Sequence, residues 1–240
     1  MINNIRPVSR KYNLLLICCF ACFVHSCAQT KKIPLNKYGL EVVSDIKLYR
    51  QLVRSGKVPG LFPIAQLPAL KTELRYAGTN NFMGKILYKE GAAAYLISPA
   101  ANALRKVVYE LKEKGLGLLV WDAYRPYSTT EEIWQEVRDE RYAANPTKGS
   151  GHNRGISIDC TLYDLQTGTA LEMPTDFDDF SEKAHHSFTA LSATVLKNRK
   201  TLLDVMEKYG FKALSTEWWH YSFPNTGHFP LLNIPFKALR

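Results

Sequence analysis

Apolar positions in this chain fall into short runs divided by glycine, proline and polar clusters, and their spacing predicts strands alternating with helices. Residues 72–76 alternate with the two-residue period of a strand. Ser98-Pro99 places a capping residue before a proline suited to the first helical position, so a helix is expected over 98–114, stopped at Gly115. The run Leu116-Gly117-Leu118-Leu119-Val120-Trp121-Asp122 reads as a buried strand. Ser128-Thr129-Thr130-Glu131 has the form of a capping box, which makes 124–127 a strand-to-helix loop. A second buried strand is expected over 156–162, a long helix over 191–209 closed by Gly210, and an aromatic-rich strand over 217–223.

The first 26 residues follow a different pattern. A basic head with Arg6, Arg10 and Lys11 precedes an apolar run from Leu14 to Val24, too short for the roughly 20 residues of a membrane span, and then His25-Ser26-Cys27. This is the form of a secretory signal. Val24-His25-Ser26-Cys27 resembles a bacterial lipobox, in which the cysteine is acylated and becomes the new N-terminus, although His25 takes a place usually held by a small or hydroxyl residue. The resulting organisation is a leader over 1–26, a tether and N-terminal edge segment over 27–66 broken by Pro34, Gly39, Pro59, Gly60 and Pro63, and a functional domain over 67–240. An exported protein on the periplasmic side, anchored to the membrane by a lipid on Cys27, is expected.

Composition narrows the picture further. With 240 residues and 46% of them hydrophobic, the chain has room for one ordinary domain. Four of its five cysteines, Cys18, Cys19, Cys22 and Cys27, lie in or at the end of the leader, so Cys160 is alone in the body and no disulfide framework can form there. The net charge of +9 falls to +6 without the three basic residues of the leader, too mild and dispersed a surplus to imply nucleic acid as a partner.

Candidate chemistry is concentrated in two pieces, Ser150-Gly151-His152-Asn153-Arg154-Gly155-Ile156-Ser157-Ile158-Asp159 and Glu217-Trp218-Trp219-His220, with Arg125 in a loop upstream. Two histidines and a carboxylate, His152, Asp159 and His220, supply the three protein ligands of a catalytic zinc, one ion per chain, with the fourth position open. Such a zinc lowers the pKa of water to about 7. Glu217, three residues before a ligand, is placed to act as general base and then general acid. Residues three apart on a regular strand face opposite ways, so Glu217 and His220 can reach one metal only across a backbone irregularity, which is therefore expected. Arg125, fixed beside Pro126, offers a permanent charge to an oxyanion. Cys160 should face away from Asp159, into the core.

Trp121-Asp122-Ala123-Tyr124-Arg125-Pro126, then Ser150-x-His152-x-x-Gly155-x-x-x-Asp159, then Glu217-Trp218-Trp219-His220 resemble in that order the D-alanyl-D-alanine dipeptidases, the VanX-like branch of the zinc D-Ala-D-Ala peptidases. The resemblance runs from Leu74-Arg75-Tyr76-Ala77 through Asn81-Phe82 to Tyr221. It implies an α+β fold in which a small antiparallel sheet carries the zinc and is flanked by helices. The same metal, base and oxyanion residues follow from it. It adds Asp178 as the anchor for a free ammonium, with Ser150 and Tyr76 lining the substrate pocket, and it leaves His185 and His186 out of the ligand set, as structural residues or hydrogen-bond partners of the ligands. Ser157 stands where alanine is usual, and Pro174 follows Met173 where glycine is common. The implied reaction is hydrolysis of the D-Ala-D-Ala dipeptide to free D-alanine during cell-wall peptide turnover. The alternatives are a D,D- or L,D-carboxypeptidase acting on peptidoglycan stems, and a wall-binding lipoprotein without catalysis.

Overall fold

The computed structural model describes residue 1 and residues 32–240, so the expected leader and Cys27 lie outside the described residues. Strand β1 (Val42–Val43) leads into helix α1 (Ile46–Arg54), whose N-terminus is capped by the Asp45 carboxylate accepting from Leu48 N–H at 2.7 Å. The helix buries Leu48, Tyr49 and Leu52. Strand β2 (Leu61–Pro63) and strand β3 (Leu70–Thr72) follow. Residues 42–66, where a tether and edge segment are expected, thus contribute Val43, Tyr49, Leu52 and Ile64 to the core.

The strand expected over 72–76 is corrected: β3 ends at Thr72, and Arg75–Ala77 forms a 3-10 turn. Glu73 N–H still donates to Val120 O, but the chain then turns so that the Tyr76 carbonyl accepts from both Leu87 and Tyr88 N–H. Those two bonds hold the Tyr76 ring, 3% exposed, inside the body.

Strand β4 (Tyr95–Ile97) pairs antiparallel with β2 and runs straight into helix α2 (Ser98–Glu113). Ala100, Leu104, Val107, Val108 and Leu111 recur at helical spacing and are buried, and Gly115, with φ +74°, ends the turn that follows. Ser98 does not cap this helix as expected. Its hydroxyl instead donates to Gly60 O, tying α2 to the segment before β2.

Strand β5 (Leu116–Asp122) precedes helix α3 (Tyr127–Val137), where the expected capping box is also absent. Thr130 Oγ1 accepts from the Asn153 amide, Glu131 pairs with Lys37, and the free Ser128 N–H is taken by the Asn233 carboxamide from a distant segment. Strand β6 (Ser157–Asp164) is followed by helix α4 (Ala193–Lys208), capped by Ser192 and followed by Gly210 at φ +92°. Strands β7 (Lys212–Leu214), β8 (Glu217–Ser222) and β9 (Leu231–Leu232) complete the chain, with β9 parallel to β1.

The main sheet has the order β3-β5-β6-β8-β7. The α+β class holds, with one correction to the sheet: β3 runs parallel to β5, while the other neighbours are antiparallel. The reason is the long crossover through β4 and α2, which returns the chain in the same direction. Leu118, Val120, Ile158, Cys160, Leu162 and Tyr221 are fully buried in one core with the apolar faces of α2 and α4. Cys160 lies in this core as expected, and the opposite face of β6 and β8 is left for polar chemistry.

Replacing Asn233 by Ala removes the acceptor at the start of α3 and should cost about 1 kcal/mol, the usual scale for a lost cap. Ser128→Ala should stay within about 0.5 kcal/mol, since its hydroxyl makes no capping bond. Urea denaturation of the two variants checks this, and the reverse order of effects would restore the capping box.

Candidate metal centre and active site

The sheet itself assembles the polar row. Asp122 on β5 stands opposite Asp159 on β6, which stands opposite His220 on β8. Directly opposed residues of neighbouring antiparallel strands project from the same face, so the three side chains converge. Asp122 joins the row only because the β5–β6 register shifts between Val120 and Asp122, leaving Trp121 as the extra residue. The irregularity expected near Glu217 is also present. Ala213 on β7 pairs with Tyr221, but the next residue, Leu214, pairs with Glu217, so β8 bulges between them. Glu217 Oε2 consequently lies 3.9 Å from His220 Nδ1.

His152 comes from the 3-10 turn His152–Arg154, bracketed by two glycines with separate steric reasons. A Cβ on Gly151 would fall 2.0 Å from Ser157 Oγ, and Gly155 has φ +65°. The Ser150 hydroxyl accepts from His152 N–H at 3.2 Å and so steadies the turn. His152 Nδ1 is 2.7 Å from Ala123 O. A carbonyl can only accept, so Nδ1 carries the proton and Nε2 presents its lone pair to the site.

His220 Nδ1 lies 2.9 Å from Asp159 Oδ1 and 3.3 Å from His152 Nε2, and His152 Nε2 lies 3.3 Å from Asp159 Oδ2. Donors on one tetrahedral zinc stand about 3.3 Å apart at the usual bond lengths. The spacing and the His-Asp-His donor set therefore fit zinc, and His152 and Asp159 are each only 3% exposed. Burial opposes the charge of Asp159, but His152 and His220 outweigh it and hold the carboxyl below the ordinary carboxylate range.

Arg125 is held by Asp122 rather than left free: Nε and Nη2 donate to Oδ2 at 3.0 and 2.7 Å. Asp122 also accepts from Tyr88 O–H and from Ala123 N–H. Burial opposes the Arg125 charge, but Asp122 more than restores it, and the guanidinium lies 4.9 Å from the Tyr76 ring centre. This role of Asp122 was missing from the sequence reading. The available signal was an acid ending a buried strand three residues before the arginine.

Tyr76 O–H donates to Asp178 Oδ2 at 3.1 Å, and Asp178 itself has a left-handed backbone, φ +59°. Burial and the neighbouring Asp159 push the Asp178 carboxyl well above its ordinary range, and Glu217 is raised chiefly by burial. All eight residues singled out in the body, Tyr76, Arg125, Ser150, His152, Asp159, Asp178, Glu217 and His220, line one cavity of about 230 Å³. A larger cavity of about 640 Å³, beside Tyr88 and Phe236, contains none of them. His185 and His186 lie outside the site cavity: the His185 carbonyl accepts from Arg199, and His186 N–H donates to Ser215 O.

Residues 58–237 match the peptidase M15 family described as D-ala-D-ala dipeptidase. A D-alanyl-D-alanine dipeptidase of Escherichia coli is 37% identical over 171 residues, spanning 71% of this chain and 88% of that protein. One from Enterococcus faecalis is 34% identical over 180 residues, spanning 67% and 89%. Among solved structures, VanYB in complex with D-Alanine-D-Alanine aligns over 55% of this chain and 72% of that one, at 15% identity and a TM-score of 0.36. The chain belongs to the peptidase M15 family, the zinc metallopeptidases of D-ala-D-ala dipeptidase type.

Proposed function

We propose that this protein hydrolyses D-alanyl-D-alanine to two molecules of D-alanine in cell-wall peptide turnover. The observation that carries this reading is the meeting of a zinc donor set and a separate carboxylate, Asp178, in one cavity of about 230 Å³. His152, Asp159 and His220 would hold the zinc. When bound, zinc supplies a Lewis acid and brings water to a nucleophilic state near neutral pH.

The chain's own residues divide the remaining work. Glu217 takes the proton released by the attacking water and returns it to the departing amine; its raised pKa suits a group that must both accept and give a proton. Arg125, locked on Asp122, offers a fixed positive charge to the oxyanion. Asp178 meets the substrate ammonium, and its tendency to stay neutral in the empty cavity is relieved by that incoming charge. Tyr76 holds Asp178 in place, and Ser150 shapes the pocket while steadying His152.

Phe82, Phe180 and Tyr142 also line the cavity, with the Phe180 ring centre 5.3 Å from that of Phe82 and 4.7 Å from that of Tyr142. A buried carboxylate in a small, partly aromatic cavity favours a dipeptide with a free ammonium over the stem peptides of a carboxypeptidase. Glu217 and Arg125 argue against a non-catalytic wall-binding protein, which has no use for a general base. Export and a lipid on Cys27 remain part of the proposal, supported by the leader pattern. Among the described residues no helix is long and apolar enough to cross a membrane.

Glu217→Gln should keep stoichiometric zinc but lose about 100-fold or more in turnover, the usual scale for a positioned acid or base; full activity would remove Glu217 from the mechanism. Asp178→Ala should raise KM strongly for D-Ala-D-Ala, while N-acetyl-D-Ala-D-Ala, a poor substrate throughout, should lose little more. A wild type that prefers the acetylated or longer peptide would establish the carboxypeptidase reading instead. Cys27→Ser should shift the protein from the membrane fraction and abolish fatty-acid labelling, and unchanged fractionation would exclude the anchor.

A further inference from the structure

We propose that Ser222 and Ser157 are positioning residues for His220, fixing which ring nitrogen meets the metal; this rests on the zinc reading of the site. The two serines form a directly opposed pair on β8 and β6, two residues along the same face from the Asp159–His220 pair. Ser222 Oγ is 3.1 Å from His220 Nε2 and 2.6 Å from Ser157 Oγ. The chain of contacts therefore runs from the ligand ring through one hydroxyl to a second, fully buried one.

The direction of the bond from His220 follows from the ligand geometry. His220 turns Nδ1 toward Asp159 and His152, so a ring bound through Nδ1 carries its proton on Nε2. That proton goes to Ser222 Oγ, and the hydrogen bond between the two hydroxyls, in which either can donate, holds this oxygen in place. A hydroxyl can rotate and either donate or accept, unlike the Ala123 carbonyl that fixes His152. Ser157 limits that freedom by holding Ser222 Oγ in a short hydrogen bond at 2.6 Å. The space for its Oγ is kept by Gly151, where a Cβ would come within 2.0 Å, so the pair also abuts the turn that carries His152. Ser157 thus acts on the metal only through Ser222.

Zinc affinity, measured by competition with a chromophoric chelator, tests this independently of activity. Ser222→Ala should weaken zinc binding about 10- to 100-fold, the range for loss of a ligand's outer hydrogen-bond partner, and Ser222→Thr should restore it. Ser157→Ala should weaken binding less, and should add nothing in the Ser222→Ala background. Ring ¹⁵N shifts of His220 in the zinc-loaded wild type should show Nδ1 bound and Nε2 protonated, a readout that needs no variant to fold. Coordination through Nε2, wild-type affinity in Ser222→Ala, or an undiminished Ser157 effect in that background would each overturn the proposal. His220→Ala separates the two levels: if it too leaves zinc affinity intact, the ligand assignment has failed, whereas loss of zinc there leaves the serine result to judge the positioning alone.

Discussion

Asp159, Asp178 and Glu217 line one small cavity with Arg125, Asp122 is buried against that arginine, and the cost of burying so many acids together organises everything nearby. Two like charges 4 Å apart oppose each other by about 4 kcal/mol at the effective dielectric of a protein surface. Four carboxylates cannot all remain charged there without partners. The structure resolves the conflict by giving them different surroundings. Asp122 is saturated by Arg125, Tyr88 and a backbone amide, and Asp159 is held charged by two histidines. For Asp178 and Glu217 burial outweighs the nearby positive groups, Arg125 at the first and His220 at the second, and both are pushed toward the neutral form. Pairs whose environments drive their pKa values apart mark the division between a fixed anion and a group that exchanges protons or awaits a cation. Asp159 is thereby suited to hold a metal, and Glu217 to move a proton.

That electrostatic division depends on two departures from a regular sheet. Without the extra residue at Trp121, Asp122 would leave the row shared by Asp159 and His220, and Arg125 would lose its anchor. Without the bulge in β8, Glu217 and His220 would face opposite ways. Both irregularities are braced by tryptophans, since Trp121 packs on Trp218 at 5.8 Å and Trp218 on Trp219 at 5.5 Å. The tryptophans that flank the chemistry in sequence are thus part of what holds the strands out of register.

How much of this the sequence discloses varies with the range of the interaction. The zinc ligands and Glu217 sit in two short pieces whose residue types are unusual together, and simple strand parity was enough to require a bulge at Glu217. Cys160 could be placed in the core by the same parity. Helix starts were less legible: Ser98 and Ser128 carry the local signature of caps, but Gly60 and Asn233, distant in sequence, decide their bonding. The parallel edge at β3 likewise follows from the return of the chain through α2, which no local pattern over 72–76 records. Asp122 was visible as a residue and silent as a function, because its role appears only when Arg125 folds back on it.

Asp178 shows how such a site can be held in an unfavourable form. A left-handed backbone at a non-glycine residue costs about 1–2 kcal/mol, and raising its carboxyl pKa adds to the expense. The compensation lies one residue earlier. Phe177 is 8% exposed and packs against Tyr76, Trp121 and Trp219 with ring centres 5.4 to 5.9 Å apart. Burying a phenylalanine is worth about 1.5–3 kcal/mol, enough to offset the strained turn. Tyr76 then does two things at once, packing on Phe177 and donating to Asp178. The apolar anchor and the polar hand-hold share one ring, so the carboxylate is aimed into the cavity by the same contacts that stabilise its loop.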